Sequence, residues 1–357
     1  MNNSHTKTRL DSLTSTGLEN TNIERLDLLI EPAKIKAEIP ATHSATQTVI
    51  SSRAIIQNIL TGKDNRLLII CGPCSIHDSE SAKEYARKLK KLHDIHSDKL
   101  FIVMRVYFEK PRTHIGWKGL INDPHIDGTN DINTGLRTAR SLLAWINNIG
   151  LPCASETLDP ITPQYIGDLI SWAAIGARTT ESQTHREMVS GLSMPVGFKN
   201  GTDGGLDVAI NAMISAQSPH SFIGIDNNGK TALLRTKGNP YSHIILRGGE
   251  KPNYDSQSVF DCIEQLKRKK LTNNIIVDCS HGNSNKDYTR QPLVFKDLVQ
   301  QRVAGNSNII GLMLESHLIE GSQSMSEPLI YGKSITDACI NWQTTEELLH
   351  YCDQWLK

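Results

Sequence analysis

Eight short apolar runs, spread along most of the chain with helix-like stretches between them, set the tightest limit on what this sequence can fold into. They cover residues 67–71, 101–106, 151–154, 172–175, 194–198, 243–246, 275–277 and 309–314. Strand alternating with helix implies a parallel sheet. Eight such units predict an α/β fold, a closed (β/α)8 TIM barrel whose chemistry sits at the C-terminal ends of its strands. The residues at or just past those ends suit that position: Cys74, Arg105 with Lys110 and Arg112, Glu156, Arg178, Lys199, Arg247, Asp278 with His281, and Glu315. Scattered core charges would not all fall on one side of the runs, so the pattern reads as a site.

The chain outside the runs gives the domain plan. Residues 1–64 read as an N-terminal extension and 65–357 as the barrel. A stretch within the extension, TQTVISSRAIIQNIL, carries apolar residues at helical spacing. The helices expected between runs include SESAKEYARKLKKLHDI, GLRTARSLLAWINNIG and DVAINAMISAQ. Between Ser218 and Ser242 the pattern changes to SFIGID, then Asn227-Asn228-Gly229, then TALLRTKG. That is a β-hairpin inserted before strand six, with Asn-Gly supplying the positive-φ positions.

Composition closes off several functions. Lys plus Arg and Asp plus Glu are 38 each, and aromatics are 5% with no basic stripe, which disfavours nucleic acid. No apolar run approaches the roughly 18 residues of a membrane span, so no membrane partner is expected. The N-terminus, MNNSHTKTRLDSL, lacks the apolar core of a signal peptide. Seven irregularly spaced cysteines then read as reduced thiols of a cytoplasmic protein.

Two groups carry chemistry. Arg105, Lys110, Arg112, Arg178, Lys199 and Arg247 converge if the barrel closes, and converging cations repel unless an anion fills the space. Any one of them alone would read as a surface or salt-bridged residue. Together they suit phosphate and carboxylate, aided by glycine-rich backbone at Arg247-Gly248-Gly249 and Asn200-Gly201-Thr202-Asp203-Gly204. Cys74, His281, Glu315 and Asp337 form a mixed donor set that suits one divalent ion of the Mn, Fe, Co or Zn kind. Cys71-Gly72-Pro73-Cys74 also has the spacing of a dithiol redox motif, but the chain around it is no thioredoxin. Oxidation of Cys71 with Cys74 would instead remove a metal ligand.

These segments resemble the 3-deoxy-D-arabino-heptulosonate 7-phosphate (DAHP) synthases of the aromatic-amino-acid-regulated type I family. The matching stretches are Gly72-Pro73-Cys74-Ser75-Ile76-His77-Asp78, MRVYFEKPRT at 104–113, GWKGLINDP at 116–124 and GARTTESQ at 176–183. PVGFKNGTDG at 195–204, HIILRGG at 243–249, VDCSHGNSNKD at 277–287, GLMLES at 311–316 and YGKSITDACI at 331–340 complete the set.

The resemblance implies a transferase that condenses phosphoenolpyruvate with erythrose 4-phosphate, releases phosphate and opens the shikimate pathway. It implies metal ligation by Cys74, His281, Glu315 and Asp337, and phosphoenolpyruvate binding by Arg105, Arg178, Lys199 and Arg247. Lys110, Pro111, Arg112 and Thr113 would grip erythrose 4-phosphate, with Lys110 and Glu156 as the catalytic candidates. It further implies a homo-oligomer, dimer or tetramer, and feedback by an aromatic amino acid bound near Gln164, Leu192 and Ser193. Pro160, Met188 and Met194 lean towards tyrosine as that effector. Two alternatives stay open: 3-deoxy-octulosonate 8-phosphate synthase, and a barrel that binds sugar phosphates without turnover. The Lys110-Pro111-Arg112-Thr113 segment argues against the first, and the presence of Lys110 and every metal candidate argues against the second.

Overall fold

Strands buried on both faces read as unbroken apolar runs, and that is how the barrel strands are built. A computed structural model describes residues 18–326 and 328–356. Two helices come first, α1 (Pro32–Glu38) and α2 (His43–Leu60). The described residues then close an eight-stranded parallel barrel from β1 (Leu67–Gly72), β2 (Leu100–Arg105), β3 (Cys153–Glu156), β4 (Trp172–Ile175) and β5 (Val196–Lys199), continued below. An antiparallel hairpin interrupts the series, β6 (Ser221–Ile225) with β7 (Thr231–Arg235). The barrel resumes with β8 (Ser242–Leu246), β9 (Ile275–Asp278) and β10 (Ile309–Glu315), and β10 pairs with β1 to close it. A small parallel pair follows, β11 (Ile319–Ser322) and β12 (Lys333–Ser334).

Helices cover the outside: α3 (Ser79–Ile95), α4 (Ile132–Asn148), the short α5 (Pro163–Ile166), α6 (Gln183–Gly191), α7 (Asp207–Gln217), α8 (Ser256–Arg268), α9 (Gln291–Val303) and α10 (Trp342–Trp355). The two-residue period of each strand splits its side chains into two sets. Leu67, Ile69, Leu100, Ile102 and Met104 join the helices in the outer core. Leu68, Ile70, Phe101, Val103, Trp172, Ile245 and Ile276 fill the lumen. Ile56, Ile59 and Leu60 of α2 join the luminal set, and Asn274, just before β9, donates to the Leu60 carbonyl at 2.8 Å. The helix therefore caps the N-terminal end of the barrel, and the C-terminal end is left for the site.

The hairpin stands where the sequence puts it, but its turn is built differently. Asp226 N bonds Lys230 O at 2.9 Å, so the loop has three residues, and Gly229 alone of them takes positive φ (73°). Asp226 Oδ1 accepts from Asn228 N and Lys230 N, which lets both asparagines keep ordinary dihedrals. The extension before the barrel touches both the hairpin and the flank below it. Ala33 N bonds Asn227 O at 2.7 Å, and Tyr165 donates its hydroxyl to Ile30 O at 2.8 Å. Residues 1–17 of the expected extension lie outside the described residues. No helix among the described residues is long and apolar enough to cross a membrane.

Candidate active site and metal centre

The C-terminal strand ends open on a cavity of about 470 Å³. Arg105, Lys110, Arg112, Glu156, Arg178, Lys199, Arg247, His281, Glu315 and Asp337 all line it. Cys74 lies just beneath the lining, fully buried. Thr113 is exposed in the loop after β2 and is not part of the wall. Gln164, Leu192 and Ser193 are on the outer flank rather than in the cavity. That flank is where Met194 Cε approaches Gly167, and where Asn239 Nδ2 bonds Met194 O at 2.9 Å.

Three of the metal candidates meet. Cys74 Sγ and one carboxylate oxygen each of Glu315 and Asp337 lie within 4.8 Å of one another. Lys110 Nζ is 3.0 Å from the same sulfur. His281 stands at the edge of this group, its Nε2 3.8 Å from Glu315 Oε1. Its Nδ1 is 2.9 Å from Asp278 Oδ2 and 2.6 Å from Ser280 Oγ. That network leaves Nε2 as the nitrogen that faces the group. His281 itself has φ of 56°, a conformation that costs energy in a non-glycine residue and gathers at functional sites. A thiol, an imidazole and two carboxylates fit a borderline divalent cation. Burial first, then the Glu315 carboxylate, pushes the Cys74 thiol up to about 11, so ligation by sulfur requires expelling its proton.

The cations divide into two kinds. Arg105 and Lys199 are neutralised within the protein. Arg105 donates to Pro73 O at 3.1 Å, Cys74 O at 3.1 Å and Glu315 Oε1 at 2.9 Å, while its guanidinium lies 3.5 Å over the Tyr107 ring. Lys199 Nζ is 2.8 Å from Asp278 Oδ2. Burial alone would raise the Asp278 carboxyl, but Lys199 and His281 hold it well below its usual range. No carboxylate reaches ion-pair distance of Arg112, Arg178, Arg247 or Lys286 among the described residues. Burial, and then the neighbouring Arg178 working against the attraction of Asp278, leaves Arg247 below its ordinary basicity. An anion between these groups would relieve them.

The wall is supported by side chains that no strand-end pattern marks. Asn200 Oδ1 accepts from Arg247 N at 2.8 Å, Asn253 Oδ1 from Gly248 N at 2.7 Å, and Asn283 Oδ1 from Asn253 N at 2.8 Å. The loops they join interlock through glycine: a Cβ on Gly248 would meet Asn283 N at 2.5 Å, and one on Gly249 would collide with Gly204 N. Gln291, at the start of α9, brackets Glu315 by accepting from its N–H at 2.9 Å and donating to its carbonyl at 3.1 Å. Gly176 is bare for a similar reason, since a Cβ there would overlap Glu156 Oε1. Lys286 also stands in the wall, with φ of 61°; it lies inside the matching stretch 277–287 but no site role was expected of it. Cys71 faces Tyr85 on the helix side of β1 while Cys74 faces Lys110 and Asp337, so the two thiols look to different neighbours.

Comparison with known proteins gives the family. Residues 38–350 match the model of the DAHP synthetase I family. The chain is 57% identical over 335 residues to the Tyr-sensitive phospho-2-dehydro-3-deoxyheptonate aldolase of Salmonella typhimurium, covering 93% of this chain and 94% of that one. It is 54% identical over 329 residues to the Phe-sensitive enzyme of Escherichia coli, covering 92% and 94%. The solved structure of the phospho-2-dehydro-3-deoxyheptonate aldolase from Francisella tularensis superposes with a TM-score of 0.92 at 47% identity, covering 94% of this chain and 98% of that one.

Proposed function

This chain belongs to the DAHP synthetase I family, and on that premise we propose that its pocket condenses phosphoenolpyruvate with erythrose 4-phosphate, giving DAHP and inorganic phosphate. It is a transferase of the shikimate pathway. One observation carries the reading: a Cys/Glu/Asp donor group borders the same cavity as arginines that have no carboxylate partner among the described residues.

Arg178 and Arg247, with the remaining donors of Arg105 and Lys199, receive the phosphate and carboxylate of phosphoenolpyruvate. Lys110, Arg112 and Thr113 take erythrose 4-phosphate, Thr113 from the loop outside the present wall. Cys74, His281, Glu315 and Asp337 would hold one divalent ion, Mn, Fe, Co or Zn, whose chemistry when bound is to polarise the aldehyde carbonyl. The enol carbon of phosphoenolpyruvate attacks that carbonyl, and Lys110 protonates the new alkoxide. In support, Lys110 lines the cavity with its Nζ 3.0 Å from Cys74 Sγ, at the edge of the donor group. Water adds to the neighbouring carbon, with Glu156 as the base. The hemiketal phosphate then loses phosphate by carbon–oxygen cleavage. The cation wall holds two anions together, an electrostatic and entropic contribution.

The test is to add Mn²⁺ to the metal-depleted protein with both substrates and follow phosphate release. Release that requires the metal and both substrates is expected. Release with arabinose 5-phosphate in place of the tetrose would move the assignment to the sibling synthase. Absence of release with either sugar, with metal bound, would overturn catalysis.

The effector is an aromatic amino acid, tyrosine first, bound beside Gln164, Leu192 and Ser193. Two things support this: the Tyr-sensitive relative is the more similar of the two compared, and the chain before the barrel reaches that flank at Ile30. Arg140 links the two parts, bonding Ile39 O at 2.8 Å and Tyr165 O at 2.9 Å. Inhibition assays with each amino acid decide the effector. A homodimer or tetramer is the expected assembly, to be read by light scattering. The seven cysteines are all free, which supports a reducing, cytoplasmic setting.

A further inference from the structure

Two polar atoms under the pocket have no hydrogen-bond partner among the described residues, the Tyr107 hydroxyl and Glu156 Oε1. Tyr107 is fully buried and Glu156 is 9% exposed. Their positions are linked by the barrel's register. Arg105 on β2 pairs with Ala154 on β3, and two residues further along each chain come Tyr107 and Glu156. A step of two keeps a side chain on the same face. Tyr107 and Ala154 both belong to the luminal cluster, and Glu156 lies against Gly176 in the wall above it. The hydroxyl and the carboxylate thus point into one lumen from adjacent strand ends, yet do not bond each other.

We propose that Tyr107 and Glu156 hold one water molecule between them, making Tyr107 a positioning residue for the reaction. Buried polar atoms that lack protein partners are the ones ordered water satisfies, and such a water needs several polar contacts. The roles are complementary. Burial raises the phenol, Arg105 opposes this, and Glu156, Asp278 and Glu315 raise it further, so Tyr107 keeps its proton and donates. Glu156 accepts. Arg105, 3.5 Å over the Tyr107 ring, holds in place the ring that carries that hydroxyl. The water braces the Glu156 carboxylate in one orientation, facing the substrate pocket. This rests on the reading of Glu156 as the base of a phosphoenolpyruvate condensation.

Tyr107→Phe keeps the ring and its contact with Arg105 and deletes only the hydroxyl. Two results are expected: kcat falls roughly 10-fold, below the ~10²–10⁴ for loss of an acid–base group itself, and KM for phosphoenolpyruvate stays within about 2-fold. On a Glu156→Ala background the same change should cost nothing more. A wild-type kcat in Tyr107→Phe, a loss that falls on KM instead of kcat, or losses that multiply with Glu156→Ala, would overturn the proposal. A high-resolution crystal structure of the resting protein gives a readout free of turnover. Density for a water bridging both groups, lost in Tyr107→Phe, is expected, and its absence in the wild type overturns the proposal even if the enzyme is active. If the wild type turned over neither sugar, the functional reading would fall while the water density still decided this one.

Discussion

Lys199 and His281 share one oxygen atom: Asp278 Oδ2 lies 2.8 Å from Lys199 Nζ and 2.9 Å from His281 Nδ1. A cation of the substrate wall and a candidate metal ligand are therefore oriented by the same buried carboxylate. Asp278→Asn removes the charge from both at once. The expected result is a 10–100-fold loss in metal affinity, the range usual for an outer partner of a ligating histidine, together with a higher KM for phosphoenolpyruvate. Lys199→Met should raise KM while affecting metal affinity far less. Calorimetric titration with Mn²⁺ beside steady-state kinetics separates the two.

Metal binding should appear as stability. A cation at 100 times its Kd stabilises by about 2.7 kcal/mol if only the folded state binds it. Thermal melts with and without Mn²⁺ should show an upward shift in the wild type. Cys74→Ala should lose that shift, because the other donors flank the sulfur. A shift that persists undiminished in the variant would place the cation elsewhere.

Glu109 makes stability fall towards alkaline pH. Burial, reinforced by Asp159, raises its carboxyl from 4.5 to about 8. Below about 4.5 both folded and unfolded chains carry the proton and the group contributes no difference. Between 4.5 and 8 the unfolded chain releases its proton while the folded one keeps it, so stability declines through that window. Above it the loss is constant. Glu109→Gln mimics the protonated form and still offers an oxygen to Thr162, which bonds Glu109 at 3.3 Å. Its melting temperature should exceed that of the wild type by a margin that widens from pH 5 to pH 8. An equal margin at every pH would show that Glu109 does not titrate there.

Gly176→Ala should damage catalysis more than folding. The added methyl would occupy the space of Glu156 Oε1, and the cheapest response is rotation of that carboxylate. A fall in kcat of roughly 10-fold or more is expected, of the order produced by displacing an acid–base group, with the melting temperature little changed. A large drop in melting temperature instead would mean that the strand yields before the side chain does.

Much of the fold could be read in the sequence, for a physical reason. Strands such as β1 and β10 are covered on both faces, so their apolar runs stand out without any knowledge of partners. The wall residues at their ends were visible as charges that interrupt those runs. The pairings were not. Nothing local announces that Asp278 serves Lys199, 79 residues away, or that Arg105 is already matched by Glu315. Asn200, Asn253 and Asn283 look like loop asparagines until the fold sets each beside another loop's backbone. Tyr107 sits inside a matching segment, but a phenol in an apolar stretch reads as packing. What marks it otherwise is a hydroxyl without a hydrogen-bond partner among the described residues.

The glycine contacts among the loops after β5, β8 and β9 also limit how this pocket can change. Backbone rests on backbone at Gly204, Gly248, Gly249 and Gly282, so an insertion or a side chain in one loop dislodges the other two. Those three loops must be inherited, or transplanted, as one piece. The loop after β2 packs instead on itself and on α4, where a Cβ on Gly119 or Gly135 would meet Phe108 O or Ile121 O, and it leaves Arg112 and Thr113 at the surface. Drift towards a longer or shorter sugar therefore has that half of the rim to work with, the half proposed to hold the aldehyde.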